Sequence, residues 1–506
     1  MLAIMIWAGV ALIVAMVMLK QRLMRKKKRE VPGPRGLPLL GNLLQMDKAR
    51  PQEYLQRLAH KYGPLVSLRL GRARILVVSS SRMAEQILKT HDRSFCSRPA
   101  VVGQQRLSYG GLDMAFSPYN HHWRRMRKTC VLHLFSAKRV LSFRAVREDE
   151  VRRMITKISN NKSLQAVNLS GMAMSLASNL ICRVAFGRRY DDDEYEKIRF
   201  DRLIIEAQSL MVSFYFKDHF PAPFGVWADK ASGLMGRLDN NCRELDAFYE
   251  QLINEHLDPN RTETSDPDII DLLIQLKQNQ LGDQLSWDNI KALLMNLFVA
   301  GTDTVAAIIV WTMTGLMQRP KIMNKVKAHI RRQITPNLNN KAGFVHEDDM
   351  MKLPYLKAVV LEALRLYPPA PLIFRTQILP NECTVVIDGY EIEPGTSVYI
   401  NGWAMGRDPE RWEDPEEFRP ERFMGNDHMG RDLGFEMIPF GGGRRGCPGM
   451  DMGLISVQLA LANLLYSFDW ALPHNHYTID TDALPGLTMQ KKTPLLLIPS
   501  PHSICN

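Results

Sequence analysis

Ten residues near the C-terminal end, Phe440-Gly441-Gly442-Gly443-Arg444-Arg445-Gly446-Cys447-Pro448-Gly449, constrain this chain more than any other stretch of it. Gly443, Gly446 and Gly449 permit a tight backbone wrap, and from Met450 the apolar residues take helical spacing, so Cys447 is set just before a helix. A bare thiol is mostly protonated near neutral pH, and backbone N–H groups with a following helix N-terminus stabilise its anion. The segment therefore suits a thiolate held against haem iron, with Cys447 as the ligand and Arg445 free to meet a haem propionate. A buried structural cysteine in a Gly-rich turn is the competing use of the same residues.

The 506-residue chain shows no internal repeat and can bury a large core, as one catalytic domain or two closely packed lobes. Its seven cysteines (Cys96, Cys130, Cys182, Cys242, Cys383, Cys447, Cys505) are scattered and odd in number. With no CxxC spacing among them, they argue for a reducing compartment and against a disulfide framework or a zinc site.

Residues 1–19 are uncharged and almost wholly apolar, and Lys20, Arg22, Arg25, Lys26, Lys27, Lys28 and Arg29 follow at once. As a helix this run nearly spans a hydrocarbon core of roughly 30 Å. Charge after the run and no small-residue cleavage site predict an uncleaved signal-anchor with the remaining chain cytosolic, on the endoplasmic reticulum. The basic flank and the Val31-Pro32-Gly33-Pro34-Arg35-Gly36-Leu37-Pro38 strap then make a hinge over 20–42, leaving 43–506 as the catalytic domain. The basic flank supplies about half of the net charge of +12, which is therefore no sign of nucleic-acid binding.

Helical patterns dominate the domain: Tyr54–Tyr62, Ser81–Thr90, His121–His133, Val140–Ile158, Asn168–Ala185, Leu234–His256, Ile269–Gln278, Ser286–Gln318, Lys321–Arg332, Tyr355–Tyr367 and Gly453–Phe468. Strand signals fall at Leu65–Leu70 and Ile75–Val78, paired around Gly71-Arg72, and at Thr384–Ile387 and Thr396–Ile400. The fold class is mainly α with a small β region.

Four further patterns lie on these elements. Ala300-Gly301-Thr302-Asp303-Thr304 interrupts the long helix from Ser286, with Asn296, Ala300 and Thr304 on one face. Glu362 and Arg365 stand at i and i+3, and Pro420-Glu421-Arg422-Phe423 follows. Trp123 and Arg127 are four apart on a helix that also carries Arg124, Arg125 and Lys128. Arg375 closes Leu372-Ile373-Phe374-Arg375. Taken singly, each has an ordinary use: a Gly kink with a Thr bonded to its own backbone, a solvated ion pair, or a basic face.

In this order the motifs resemble those of the cytochrome P450 superfamily, and F-x-x-G-x-R-x-C-x-G matches its haem-binding loop at every fixed position from Phe440 to Gly449. The hinge with Leu40-Gly41-Asn42 is similar to that of microsomal members, and the chain resembles the plant A-type group. The resemblance implies the P450 fold behind a single N-terminal transmembrane helix. It also implies haem b on Cys447, with Trp123, Arg127, Arg375 and Arg445 toward the propionates.

Ala300 and Gly301 would leave space for dioxygen, Asp303 and Thr304 would relay protons, and Glu362, Arg365 and Arg422 would lock the proximal core. The implied activity is NADPH- and O2-dependent monooxygenation of a small-to-medium hydrophobic plant metabolite. Electrons would come from a P450 reductase that carries FAD and FMN and docks on the basic proximal face. Membrane lipid is the other expected partner. Haem-dependent isomerisation or dehydration without oxygen insertion, or a non-catalytic membrane haem protein, are the alternatives. By position, Met211, Phe214, Asn296, Leu372, Ile373, Leu487 and Thr488 are the expected pocket wall. The stretches Val131–Ser136, Leu245–Tyr249 and Leu484–Leu487 are most similar to the aldoxime-oxidising plant subfamily.

Overall fold

The computed structural model describes residues 30–160, 165–189, 194–261, 266–281, 284–334, 343–378, 385–425, 434–473 and 478–502. The expected membrane anchor and its basic flank lie outside them. So do the residues Cys383 and Cys505.

The small β region forms from segments distant in sequence. β1 (Leu65–Leu70) and β2 (Ala73–Val78) are the expected hairpin, with Leu65 opposite Val78. β3 (Leu372–Thr376), β4 (Val385–Ile387), β5 (Tyr390–Ile392) and β6 (Ser397–Asn401) follow. β6 runs parallel to β2 and antiparallel to β3, so the four-stranded sheet has the order β1-β2-β6-β3. β7 (Phe468–Ala471) and β8 (Leu496–Pro501) pair antiparallel near the C-terminal end. Sequence patterning missed β3, β5, β7 and β8: all are short, and the apolar run Leu-Ile-Phe at the start of β3 hides the alternating burial that strand adopts.

The helical body contains α1 (Pro51–Tyr62), α2 (His121–Thr129), α3 (Arg144–Ser159), α4 (Leu169–Phe186), α5 (Glu194–Val212) and α6 (Leu234–Leu257). It continues with α7 (Trp287–Gly301), α8 (Asp303–Met317), α9 (Pro320–Ile334), α10 (Pro354–Leu366) and α11 (Met450–Ser467). The expected single helix Ser286–Gln318 is two, broken at Thr302. There the Thr302 and Thr304 hydroxyls donate to the carbonyls of Phe298 (2.8 Å) and Ala300 (2.7 Å), the back-bonding that bends helices. The expected helix Val140–Ile158 is likewise divided, before α3.

Among the described residues, two helical stretches, Leu169–Phe186 and Trp287–Met317, are long and apolar enough to cross a membrane. Both are mostly buried against other protein elements. α8, α10 and α11 share one core cluster, where Trp311 stacks on Tyr367 at 4.7 Å. α5, α6 and α7 share a second, built around Phe200, Phe248, Tyr249 and Phe298. The cysteine loop is fixed to α11 on one side, and the bend between α7 and α8 stands at the junction of the two clusters.

Candidate haem-thiolate site

The loop around Cys447 closes on itself before α11 begins. The Cys447 N–H donates to the Phe440 carbonyl at 2.8 Å, and Gly446 N–H to Gly443 at 3.0 Å. Gly449 caps α11, and its backbone N–H points at the Cys447 sulfur. The tight wrap comes from Gly441 (φ 72°) and Gly443 (φ 62°), whereas Gly446 and Gly449 have ordinary negative φ. A Cβ on Gly443 would stand 2.4 Å from both Asp92 Oδ1 and the Leu88 carbonyl, so only glycine fits. Arg444 pairs with that same Asp92.

Cys447 combines open surface with deep placement. It is exposed, yet the surrounding protein raises its thiol pKa by desolvation, opposed by the Gly449 N–H and by Arg127. A sulfur at the floor of a recess meets both conditions. On the distal helices the matching break in burial falls at the A-G-x-D-T segment: Ala300 is exposed and Thr304 half-buried, while α7 and α8 are otherwise largely buried. Gly301 does not share that opening. A Cβ there would meet Ile181 at 2.8 Å, so this glycine allows α7 to pack on α4 and leaves no free space of its own.

Next to the loop, arginines are gathered with almost no negative charge to balance them. Arg375 is 1 % exposed and donates from its two terminal nitrogens to the Phe374 (2.9 Å) and Gly442 (3.3 Å) carbonyls, while its Nε has no partner. Burial, then the charges of Arg98 and Arg445, push its pKa well down. Arg98 is held down to about 10 by burial, and Arg445 to about 9 by burial and Arg98. Arg127 is half-buried and lowered for the same first reason. Asp113 is the carboxylate near Arg98 and Arg445, and burial raises its own pKa.

An unsatisfied buried guanidinium among other arginines is a donor set for external carboxylates. Haem b, which carries two, fits it. Arg375, Arg98 and Arg127 are the residues that would hold the propionates, and Cys447 the iron.

Two expected propionate contacts are otherwise engaged. Arg445 spends each of its nitrogens on a carbonyl: Cys96 (2.7 Å), Met114 (3.2 Å) and Ser117 (2.7 Å). Its guanidinium lies 4.0 Å from the Trp123 ring centroid, and the Trp123 indole N–H donates to Met114 at 2.9 Å. These two side chains brace the loop before α2. Arg98, in contrast, was not expected; it lies outside every motif, and its short-range neighbours Ser97 and Pro99 give no hint of burial.

Glu362, Arg365 and Arg422 form the expected buried cluster. Arg365 makes a two-pronged contact with Glu362 (2.7 and 2.8 Å), and Arg422 Nε adds a third bond at 3.1 Å. Arg365 also donates to the carbonyls of Pro415 and Glu417, and the Arg419 N–H donates to Glu362.

The expected pocket wall is only partly assembled. Asn296 is a strut: its Oδ1 accepts from the Met114 and Ala115 N–H groups (3.0 and 3.1 Å), and its Nδ2 donates to Asp113 (2.8 Å). Met211 is fully buried in the second core cluster, because its side of α5 packs inward. Phe214 stands on the outside, stacked on His219 at 4.6 Å. Ile373 shares the inward face of β3 with Arg375, whereas Leu372 faces the β1–β2 cluster. Leu487 is half-buried against the second core, and Thr488 is buried beside it.

Comparison with known proteins agrees with this construction. The Cytochrome P450 family model matches residues 31–498. The chain is 45 % identical to 6,7,8-trihydroxycoumarin synthase of Pastinaca sativa over 491 residues, 94 % of this chain and 95 % of that protein. It is 44 % identical to 5-OH-xanthotoxin synthase of Ammi majus (94 % and 93 % covered) and 41 % identical to strychnine-11-hydroxylase of Strychnos nux-vomica (95 % and 94 %). A solved zebra fish cytochrome P450 with abiraterone has the same fold, with TM-score 0.74 over 90 % of this chain and 99 % of that one at 23 % identity. With a family match along nearly the whole length and a thiol, distal bend and arginine set that fit haem b, the chain belongs to the cytochrome P450 family and is a haem-dependent monooxygenase.

Proposed function

We propose that this enzyme hydroxylates a planar, oxygenated aromatic plant metabolite of the coumarin class, taking electrons from NADPH through a P450 reductase. The single observation that carries the site is the unsatisfied Arg375 among like charges beside Cys447. The substrate class is supported by the names of the coumarin and xanthotoxin relatives, which move the expectation away from aldoximes.

Bound haem supplies oxygen activation, with thiolate ligation favouring O–O cleavage. The chain's own residues do the rest. Cys447 holds the iron; Arg375, Arg98 and Arg127 hold the propionates. Asp303, whose buried carboxyl is pushed up to about 6 by burial, takes up and releases a proton close to neutral pH. Thr304 rests with its hydroxyl on the Ala300 carbonyl and its oxygen lone pairs open; turned off that carbonyl, the hydroxyl gives its proton to an acceptor as it takes one from a donor.

For location, we propose a single-pass anchor in the endoplasmic reticulum with the catalytic domain cytosolic. An apolar surface next to the hinge supports it: Leu39 (84 % exposed) and Leu44 on one side, Phe214, Phe224 and Trp227 (67 %) on the other. Gly71 joins the two sides, its N–H on the Leu40 carbonyl and its Cα against His219. The exposed Arg124, Arg125 and Lys128 of α2 suit an acidic reductase.

The test is microsomes containing the chain and a plant reductase, given NADPH, labelled dioxygen, coumarins, furanocoumarins and aldoximes. Label retained in a coumarin is the expected result; label confined to another class would replace the substrate, and turnover without NADPH would replace the reaction.

A further inference from the structure

Asp113, Met114 and Ala115 lie in an irregular turn ahead of α2, and three separate parts of the fold fasten it. From α7, Asn296 Oδ1 accepts from the N–H groups of Met114 (3.0 Å) and Ala115 (3.1 Å), and its Nδ2 donates to Asp113 Oδ2 (2.8 Å). From the cysteine loop, Arg445 donates to the Met114 carbonyl at 3.2 Å, beside the Trp123 indole at 2.9 Å. From the arginine set, Arg98 Nε donates to the Ala115 carbonyl at 2.9 Å.

The peptide joining Met114 to Ala115 is planar, so the N–H that meets Asn296 and the carbonyl that meets Arg445 belong to one rigid group. Ala115 is likewise held at its N–H by Asn296 and at its carbonyl by Arg98. Asn296 is 8 % exposed and stands one turn before Ala300 on the same face of α7. Two turns earlier, Asn289 donates to the Leu112 carbonyl at 3.2 Å, so the helix grips this segment at two points.

We propose that Asn296 is a positioning residue that joins the distal helix to the propionate arginines through the peptide between Met114 and Ala115. The grip on the haem carboxylates and the placement of the distal bend are then set together, and the coupling acts equally in both directions. A primary amide suits the post, because it accepts two N–H groups and donates to a carboxylate from one short side chain. This inference rests on Arg98 as a residue that holds a propionate.

The test is a double-variant cycle on haem release, followed in the whole protein as transfer to an apo-globin acceptor, without turnover. Asn296→Leu keeps the volume and withdraws both acceptor and donor; Arg98→Met keeps the length and withdraws the charge and the bond to Ala115. Each alone should speed release about tenfold, and Asn296→Leu should add less than about twofold once Arg98→Met has cut the link. Asn296→Asp should stay near the parental rate. Its carboxyl still accepts from both N–H groups, and one proton shared with Asp113 restores the third bond. Should the leucine variant fail to load haem, Asn296→Ser takes its place in the cycle.

Two accelerations that simply multiply would overturn the link and leave Asn296 with a share in stability alone. An aspartate variant as fast as the leucine one would overturn it too. Arg98→Met releasing haem at the parental rate would strike the propionate reading of Arg98 first, and the link with it. Hydrogen exchange gives the independent measurement: in the haem-free protein the Met114 and Ala115 amides should exchange about tenfold faster in Asn296→Leu. An unchanged exchange rate would overturn the proposal whatever the cycle gives.

Discussion

Two groups of buried arginine solve the same problem differently. Arg365 and Arg422 share Glu362, and nearby carbonyls take further donors, so the cluster is complete within the protein. Arg375, Arg98 and Arg445 repel one another, with Asp113 acting on two of them and Asp92, already paired with Arg444, on Arg375, and one buried nitrogen is left over. A closed cluster fixes the fold. An open one stores a charge imbalance that an anionic ligand relieves, so the same residue type marks structure in one place and a cofactor cradle in the other.

Breaking the closed cluster should have the largest effect. Glu362→Gln leaves Arg365 and Arg422 buried without a counter-charge and should lower stability by roughly 3–5 kcal/mol. The loss should be equal with and without haem, as read by thermal or denaturant unfolding of both forms. Arg375→Leu should behave in the opposite way. The haem-free protein should be as stable as the parent or more so, because a desolvated charge is gone, while haem affinity falls about a hundredfold, ~2.7 kcal/mol. Haem-transfer kinetics to an apo-globin acceptor measure this, and an equal loss of stability in both forms would erase the distinction between the clusters. Arg445→Lys should fall between the two, since Arg445 braces three carbonyls and the Trp123 ring. Losing that fork should cost both forms on the order of 1–2 kcal/mol, seen as a matched drop in unfolding midpoint.

What could be read in the sequence followed the range of the interactions. The Glu362/Arg365 pair needs fixed residue types three positions apart and is built as expected, and the Cys447 loop closes just before its helix as expected, although Gly441 and Gly443 make the wrap and Arg445 is taken up by carbonyls. Asn296 could not be read correctly. Its helical face was right, but its partners Asp113, Met114 and Ala115 lie about 180 residues away and convert a pocket residue into a strut. Arg98 went unnoticed for the same reason, since it is defined by long-range partners such as the Phe374 carbonyl. Gly301 was assigned to empty space, and only the position of Ile181 shows that it serves helix packing. α5 escaped notice because its apolar and charged residues do not segregate cleanly by helical period.

Asp303 is a third answer to a buried charge: burial delays its ionisation to about pH 6. Its carboxyl is raised to that value from an ordinary 3.8. A carboxyl with a folded pKa above its unfolded value is at no disadvantage when protonated in both states, below about pH 4. As pH rises toward and past 6 the unfolded chain releases its proton first, and the fold loses stability on the order of 2–3 kcal/mol.

Asp303→Asn removes this titration. The variant and the parent should therefore unfold alike near pH 4, and the variant should become progressively more stable from there to pH 7, with a constant margin above. Parallel unfolding midpoints across that interval would mean that Asp303 is ionised in the folded protein at all these pH values. It would then belong with Glu362, as a charge the fold has paired, and the distal bend would hold no stored proton.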